Sequence, residues 1–162
     1  MRDEAVQQSL AYARSQLPPR FHGLDTLCGT QEVMVGEQRL AVVVFTAADR
    51  QPRPVAAVVW RDGVGPADFV GDCGDRAVVN RFGPDSVFFE HRSAAGVGIV
   101  IGRVFGLAGR VAVLDDDDRE IAAASAAAGV FGVGWDGDRR ARRLDVLTRG
   151  GRWIGSAALM DD

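Results

Sequence analysis

Short runs of alternating apolar and small or charged residues fill the last third of this chain. In Val130–Trp135, three large side chains alternate with two glycines, and Arg110–Leu114 and Arg142–Leu147 alternate in a similar way. Side chains two positions apart share one face of a strand, so each run predicts a half-buried β-strand. Asp/Gly clusters separate the runs at spacings of roughly 8–12 residues, which is typical of an antiparallel meander in a sandwich or barrel.

One helix is predicted before the strands begin. The run from Asp3 to Leu17 carries apolar residues at helical spacing, and Pro18-Pro19 ends it. These apolar residues form one narrow stripe: Val6, Leu10, Ala13 and Leu17. We therefore expect residues 1–19 to form an N-terminal helix or linker, and residues 20–162 to form a single β-sandwich domain.

The middle of the chain predicts further strands separated by turns. Arg61–Asp75 is expected to be mostly loop, with a short strand around Phe69. Gly96–Phe105 carries three glycines, which predicts a bulged or sharply bent strand. A short turn at Gly36 is expected to join Glu32–Val35 and Arg39–Phe45 as a hairpin. Strands are expected at Glu32–Val35, Arg39–Phe45, Pro54–Trp60, Ala77–Asn80 and Val87–His91.

The charge and the lengths of the apolar runs argue against a nucleic-acid partner and against a transmembrane segment. The net charge is −3, whereas a general binder of nucleic acid carries a positive excess to engage phosphates, so no nucleic-acid partner is expected. The longest apolar runs, such as Leu40–Phe45, fall far short of the ~20 residues that span a bilayer, so no transmembrane segment is expected. All 19 basic residues are arginine, which indicates a high-GC bacterial coding bias.

Cys28 and Cys73 each precede a glycine in a turn-like context and leave two interpretations open. One is a disulfide between two loops in an oxidising compartment, which would stabilise the fold by roughly 4 kcal/mol through loop-closure entropy. The other is a pair of reduced, half-buried thiols. We favour the bridge.

The run Asp115–Asp118 is a candidate metal site, with Asp115, Asp116 and Asp117 as the ligands. Clustered carboxylates can bind calcium, which prefers several oxygen ligands. An EF-hand loop has Asx-x-Asx-x-Asx-Gly spacing and a glutamate at its far end, and this run has neither. A solvated hairpin turn is the favoured interpretation, and no metal or cofactor is predicted.

His91 is a candidate catalytic residue, because its side chain titrates near neutral pH, and Glu90 precedes it. Neighbours on a strand point to opposite faces, so the two side chains cannot simply pair with each other. A small enzyme would have to gather His91, Glu90 and carboxylates from loops. The cluster Arg139–Arg143 could contact phosphate, but its flanking aspartates favour a charged hairpin whose arginines guard a sheet edge.

The last 50 residues also resemble a known family. Gly109–Leu114, the acidic turn after it, Arg119–Ala124, Gly129–Phe131 and Trp135 are similar to a motif of extracytoplasmic β-sandwich modules in small envelope proteins of high-GC Gram-positive bacteria. The resemblance implies an immunoglobulin-like sandwich, a location outside the membrane and a bridge between the two cysteines. It brings no catalytic motif.

Together these observations predict a mainly β protein, an antiparallel immunoglobulin-like sandwich or partly open barrel with one N-terminal α-helix. The predicted function is a non-catalytic interaction, sensing or scaffolding module of the bacterial cell envelope, whose partner is a protein or an envelope component. Two alternatives stay open. One is a small enzyme that uses His91 and Glu90, and the other is a cytoplasmic immunity or regulatory protein.

Overall fold

The computed structural model describes residues 1–72 and 76–159 of the chain. Within these residues the chain forms an N-terminal helix, a short 3-10 helix and a series of β-strands. Their bounds in chain order are α1 Arg2–Gln16, the 3-10 helix Pro19–Phe21, β1 Thr26–Val35, β2 Gln38–Thr46, β3 Val55–Arg61, β4 Gly65–Gly71, β5 Arg76–Val79, β6 Ser86–Ala94, β7 Val97–Phe105, β8 Ala108–Leu114, β9 Glu120–Ser125, β10 Val130–Asp136, β11 Arg143–Thr148 and β12 Trp153–Ala158.

In the described part of the chain the strands form three antiparallel sheets of four strands each. Sheet A has the order β1-β2-β3-β4, sheet B the order β10-β7-β6-β5, and sheet C the order β12-β11-β8-β9. The predicted mainly β, antiparallel fold with one N-terminal helix is confirmed. The sequence analysis did not predict that a third sheet would extend the sandwich.

The helix α1 covers the outer face of sheet A, and its predicted position is confirmed. Val6 and Leu10 of the predicted stripe are only half-buried. Trp60 of β3 lies beneath the helix and donates a hydrogen bond from Nε1 to Gln8 Oε1 at 2.8 Å. The helix approaches the sheet closely because the buried positions are small residues spaced by four: Ala5, Ser9 and Ala13.

The sheets stack face to face, with an apolar core on each side of sheet B. Between sheets A and B the core is aliphatic and includes Val44, Ile99 and Ile101. Between sheets B and C the core contains large aromatic side chains, among them Phe89 and Trp135. Sheet B is therefore the middle layer, and both of its faces are buried.

Strand β10 does not continue the meander predicted for positions 110–160. It pairs with β7 along its length, from Val130 opposite Arg103 to Asp136 opposite Val97. The other strands of this region form sheet C without it. The prediction of one continuous meander is wrong here, because alternation shows which side chains share a face but not which strand lies alongside.

The predicted orientation of the β10 side chains is confirmed. The intervening glycines also face a core, because they pack against sheet A. A Cβ atom on Gly134 would lie 2.8 Å from Val42 Cγ2, and one on Gly132 would overlap Val44. The large side chains point into the core between sheets B and C: Phe131, Val133 and Trp135.

Strand β7 is regular, so the predicted bulge is wrong. It pairs with β6 and β10 without a register shift. Gly98 lies opposite Trp135 and Gly102 opposite Phe131, and a Cβ atom on either glycine would overlap the facing aromatic ring. These glycines make room for rings on the neighbouring strand.

The remaining strands are placed as predicted, with two differences in extent. The hairpin of β1 and β2 is confirmed, with Gly36 at its turn, but β1 begins at Thr26 instead of Glu32. Strand β4 occupies Gly65–Gly71 and pairs with β3, so more of Arg61–Asp75 is strand than predicted. Backbone pairing to β3 outweighs the glycine content that indicated a loop.

Candidate functional site

Residues of β6, β7 and β10, together with the loops after β8 and β10, line a cavity of about 530 Å³. His91 and Trp135 line one wall, with ring centroids 5.6 Å apart. Asp116, from the turn between β8 and β9, lines the same cavity. Three side chains of the loop between β10 and β11 also line it: Arg139, Arg140 and Arg142. The fold thus brings together residues that the sequence offered as three separate candidates. We call residues 115–118 and 137–143 the charged end.

The charges at the charged end largely neutralise one another. Asp116 lies 3.7 Å from Arg140 Nε and 3.5 Å from Arg142 Nη1. Arg143 donates to Asp118 at 2.7 Å and to Asp145 at 2.9 Å. These hydrogen bonds, first of all the one to Asp145, raise the pKa of Arg143 above its usual value. The arginine cluster is therefore engaged by carboxylates of this chain.

The acidic run forms a turn closed by its own first residue. The Asp115 carboxylate accepts hydrogen bonds from the backbone N–H of Asp117 at 2.9 Å and of Arg119 at 3.0 Å. The bond from Arg119 is the main cause that lowers the pKa of Asp115. Because Asp116 turns instead toward arginine, the three candidate ligands do not converge. In residues 1–72 and 76–159, no group of three or more His, Cys, Asp or Glu residues is placed to hold a metal ion.

His91 and Glu90 do not share a site. The Glu90 carboxylate forms an ion pair with Arg92, on the face of β6 opposite to His91. His91 stacks on Trp135 in the cavity, which Asp116 also lines. The structure therefore places His91 and a loop carboxylate on one cavity but leaves out Glu90, so the predicted catalytic group is only partly assembled.

Cys28 is half-buried and forms no disulfide with any of the described residues. Burial raises the pKa of the Cys28 thiol to about 11, and the nearby Arg53 opposes that shift. Its predicted disulfide partner, Cys73, lies outside the described residues. The bridge stays a prediction.

The opposite end of the same strands carries exposed apolar side chains that the sequence analysis missed. Val79 is 59% exposed, Phe82 98%, Phe105 48% and Leu107 66%. Val79 and Phe105 flank Ser86 in one cross-strand row, and Phe82 and Leu107 lie in the two adjoining turns. We call these four residues the apolar end. The sequence feature that could have indicated this surface is Phe82, which directly precedes the turn residues Gly83-Pro84-Asp85.

Asp85 joins the two turns that carry the apolar end. Its carboxylate is buried and accepts hydrogen bonds from the backbone N–H of Leu107 and from Asn80 Nδ2, the latter at 3.2 Å. Asn80 Oδ1 in turn accepts from Phe82 N at 3.0 Å. A Cβ atom on Gly106 would lie only 2.7 Å from Asp85 Oδ1, so the second turn fits closely over the carboxylate. The apolar side chains are thus presented on a fixed backbone.

Basic side chains surround the apolar end. Two shallow cavities of about 250 and 330 Å³ adjoin Phe105 and Leu107. Their linings include Arg53, Arg103 and Arg149 and contain no carboxylate. The linings of these two cavities are therefore basic, although the whole chain has a net charge of −3.

No protein family, curated protein or solved structure matches this chain. Among the described residues, no helix has the length and apolar character needed to cross a membrane.

Proposed function

We propose that this protein is a non-catalytic interaction module that binds a protein partner through the apolar end. The observation that carries the proposal is the set of exposed side chains on two joined turns. Phe82 is almost completely exposed and Leu107 mostly so. An apolar patch held at one place on the surface of a folded protein is the usual mark of an interaction site.

The energies involved are sufficient for recognition. Burying one exposed Phe or Leu side chain contributes roughly 1.5–3 kcal/mol. Because the Asp85 hydrogen bonds already hold both turns, little backbone entropy is lost when a partner binds. Phe82 and Leu107 are therefore expected to be the anchors of the interface.

The surrounding charges indicate the chemistry of the partner. Arginines line the cavities beside the apolar end, and Arg81, next to Phe82, is exposed. A matching surface has an apolar centre and an acidic rim. Charge pairs at a rim mainly accelerate association, so binding should weaken as salt concentration rises.

The test compares three forms of the protein as bait in an extract of its native host. The forms are the wild type, the double variant Phe82→Ser/Leu107→Ser and the control Trp153→Ser, which alters an exposed aromatic residue on β12. The protein captured by the wild type is identified, purified and titrated against all three forms. We expect the double variant to lose about 100-fold or more in affinity, the equivalent of two anchor side chains, and the control to bind like the wild type.

Equal affinity of the double variant and the wild type would contradict the proposed function. Circular dichroism and thermal melting of each variant show whether the fold is retained. Both substituted side chains are exposed, so the variants should melt close to the wild type.

We further propose that the module acts at the cell envelope and that its sandwich is immunoglobulin-like. The support for both is the resemblance of residues 110–160 to envelope modules. The thiol count decides between the envelope and the cytoplasmic alternative. Protein taken from the native host should show no titratable thiol in denaturant without reductant if Cys28 and Cys73 are bridged. Two titratable thiols would favour the cytoplasm.

The burial of Cys28 gives a separate prediction for protein in which Cys73 has been replaced. A pKa near 11 leaves far less thiolate at pH 8 than an ordinary cysteine has, and the thiolate is the reactive form. In a Cys73→Ser variant, iodoacetamide should therefore modify native Cys28 about 100-fold more slowly than in the unfolded protein. The rate should rise as the pH approaches 11, and equal rates in the two states would show that the thiol is not buried.

A further inference from the structure

A slot runs beside the free edge of the middle sheet. Strand β10 is the last strand of sheet B, and the edge strands β1 of sheet A and β9 of sheet C lie on either side of it. The space between them is a cavity of about 240 Å³, lined by residues of all three strands. Gly29, Ala124 and Gly132 are among the lining residues.

The hydrogen-bond pattern shows which backbone groups of β10 face the slot. At one end Val104 N donates to Gly129 O at 3.0 Å, and at the other Gly137 N donates to Gly96 O at 2.9 Å. Antiparallel pairs alternate between bonded and non-bonded positions, so the odd-numbered residues of β10 bond to β7. The N–H and C=O groups of the even-numbered residues therefore point away from β7, toward the slot.

Three of these outward positions have partners within the chain, and at Asp136 the C=O accepts a hydrogen bond from Arg139 N at 2.9 Å. Val130 exchanges two hydrogen bonds with the backbone of Ala127, at 2.9 and 3.1 Å. Gly134 exchanges two with the side-chain amide of Gln31, which donates to its C=O at 2.7 Å and accepts from its N–H at 3.1 Å. Among residues 1–72 and 76–159, none bonds to the outward N–H and C=O of Gly132, which lies between them.

Gly29 holds the same position relative to Gly132 that Gln31 holds relative to Gly134. Gln31 pairs with Val42 and Gly29 with Val44 on adjacent strands. Val42 packs against Gly134 and Val44 against Gly132. Position 29 therefore faces Gly132, but it has no side chain, and a Cβ atom placed there would meet nothing within 4 Å.

We propose that the slot binds a small molecule that carries a primary carboxamide. Its amide would donate to the C=O of Gly132 and accept from the N–H, as the Gln31 amide does at Gly134. The Ala127 pairing at Val130 and the Gln31 pairing at Gly134 each lie two residues from Gly132, about 6.6 Å along the strand. Between Val130 and Gly134 only Gly132 is thus open for pairing, which fits a single amide group and is too short for an added strand.

Nicotinamide and methyl nicotinate are matched probes for the test, because they share a ring and the ester lacks the N–H donor. The readout is the Gly132 amide resonance in ¹H–¹⁵N spectra of the full chain during titration. Nicotinamide should move this resonance in a saturable way, and methyl nicotinate should bind at least about tenfold more weakly because one hydrogen bond is lost. No movement with nicotinamide, or equal affinity for both probes, would overturn the proposal.

Two substitutions at position 29 provide the matched variants. Gly29→Gln should place its own amide on Gly132, so the Gly132 resonance should shift without any probe and nicotinamide should no longer bind. Gly29→Ala adds only a methyl group in open space and should still bind nicotinamide. Unchanged nicotinamide binding by a folded Gly29→Gln variant would show that the probe binds elsewhere.

Discussion

The two ends of sheets B and C differ in how their side chains are satisfied. The charged end gathers aspartates and arginines from separate turns, where Asp116 pairs with Arg142 and Asp118 pairs with Arg143. At the apolar end, a buried carboxylate fixes the backbone while Phe82 and Leu107 remain in solvent. Strand β8 runs from one end to the other, because it begins directly after Leu107 and stops just before the acidic turn.

The difference shows which cluster has unsatisfied binding capacity. Exposed ion pairs contribute about 0–1 kcal/mol each, and at the charged end each cluster meets its opposite within the chain. At the apolar end, Phe82 and Leu107 remain mostly in solvent and would gain free energy on burial. On the proposed function, a conspicuous charge run in the sequence is therefore a weaker guide to the binding surface than an isolated phenylalanine before a turn.

The largest expected effect is at the aromatic core beneath the charged end. Trp135→Ala removes a ring that fills the space over Gly98 and stacks on His91. It should lower the free energy of unfolding by about 3–5 kcal/mol in urea denaturation. Phe82→Ala is the matched control, since that ring is 98% exposed and its loss should change stability by less than about 0.5 kcal/mol. Similar losses for both variants would refute the layer assignment of β10.

A smaller loss is expected where the apolar end is held together. Asp85→Ala leaves the Leu107 N–H without its acceptor and should cost about 2–3 kcal/mol. Asp85→Asn keeps a carbonyl oxygen for that N–H and should cost less. Hydrogen exchange at Leu107 reports the change directly, and it should accelerate in the alanine variant. Unchanged exchange would mean that Asp85 does not join the turns.

The smallest effect is expected at the charged end itself. Asp116→Asn/Asp117→Asn removes two exposed charges and should shift stability by no more than about 0.5 kcal/mol. Calcium should leave the melting temperature of the wild type unchanged, because Asp115 and Asp116 are engaged by backbone N–H groups and arginines. A calcium-dependent rise in melting temperature that the double variant loses would restore the metal interpretation.

Much of the fold was predictable because the β10 alternation fixes which side chains are buried. Phe131 and Trp135 point into a core as predicted, and the helix ends where prolines require it. The pairing of β10 with β7 was not predictable, since the reason is the fit of Trp135 over Gly98, which lie far apart in the sequence. The glycines of β7 predicted a bulge because the sequence of one strand does not show which ring a neighbouring strand places over them.

The candidate sites were less predictable than the strands. His91 and Asp116 were both selected from sequence, but only the folded chain places them on one cavity. The apolar end was missed because its members come from two turns that Asp85 joins in space. The pairing of Gln31 with Gly134 was invisible for the same reason, since a side-chain amide on an edge strand has no sequence signature.

Site-specific photo-crosslinking compares the two ends most directly. A benzoylphenylalanine is introduced at position 82 in one variant and at position 140 in another, and both are irradiated in cells of the native host. Phe82 and Arg140 are both exposed, so either probe is tolerated by the fold. We predict that position 82 yields one discrete adduct with a partner protein and that position 140 does not yield it. The same adduct from position 140, or none from position 82, would contradict the assignment of the apolar end as the binding surface.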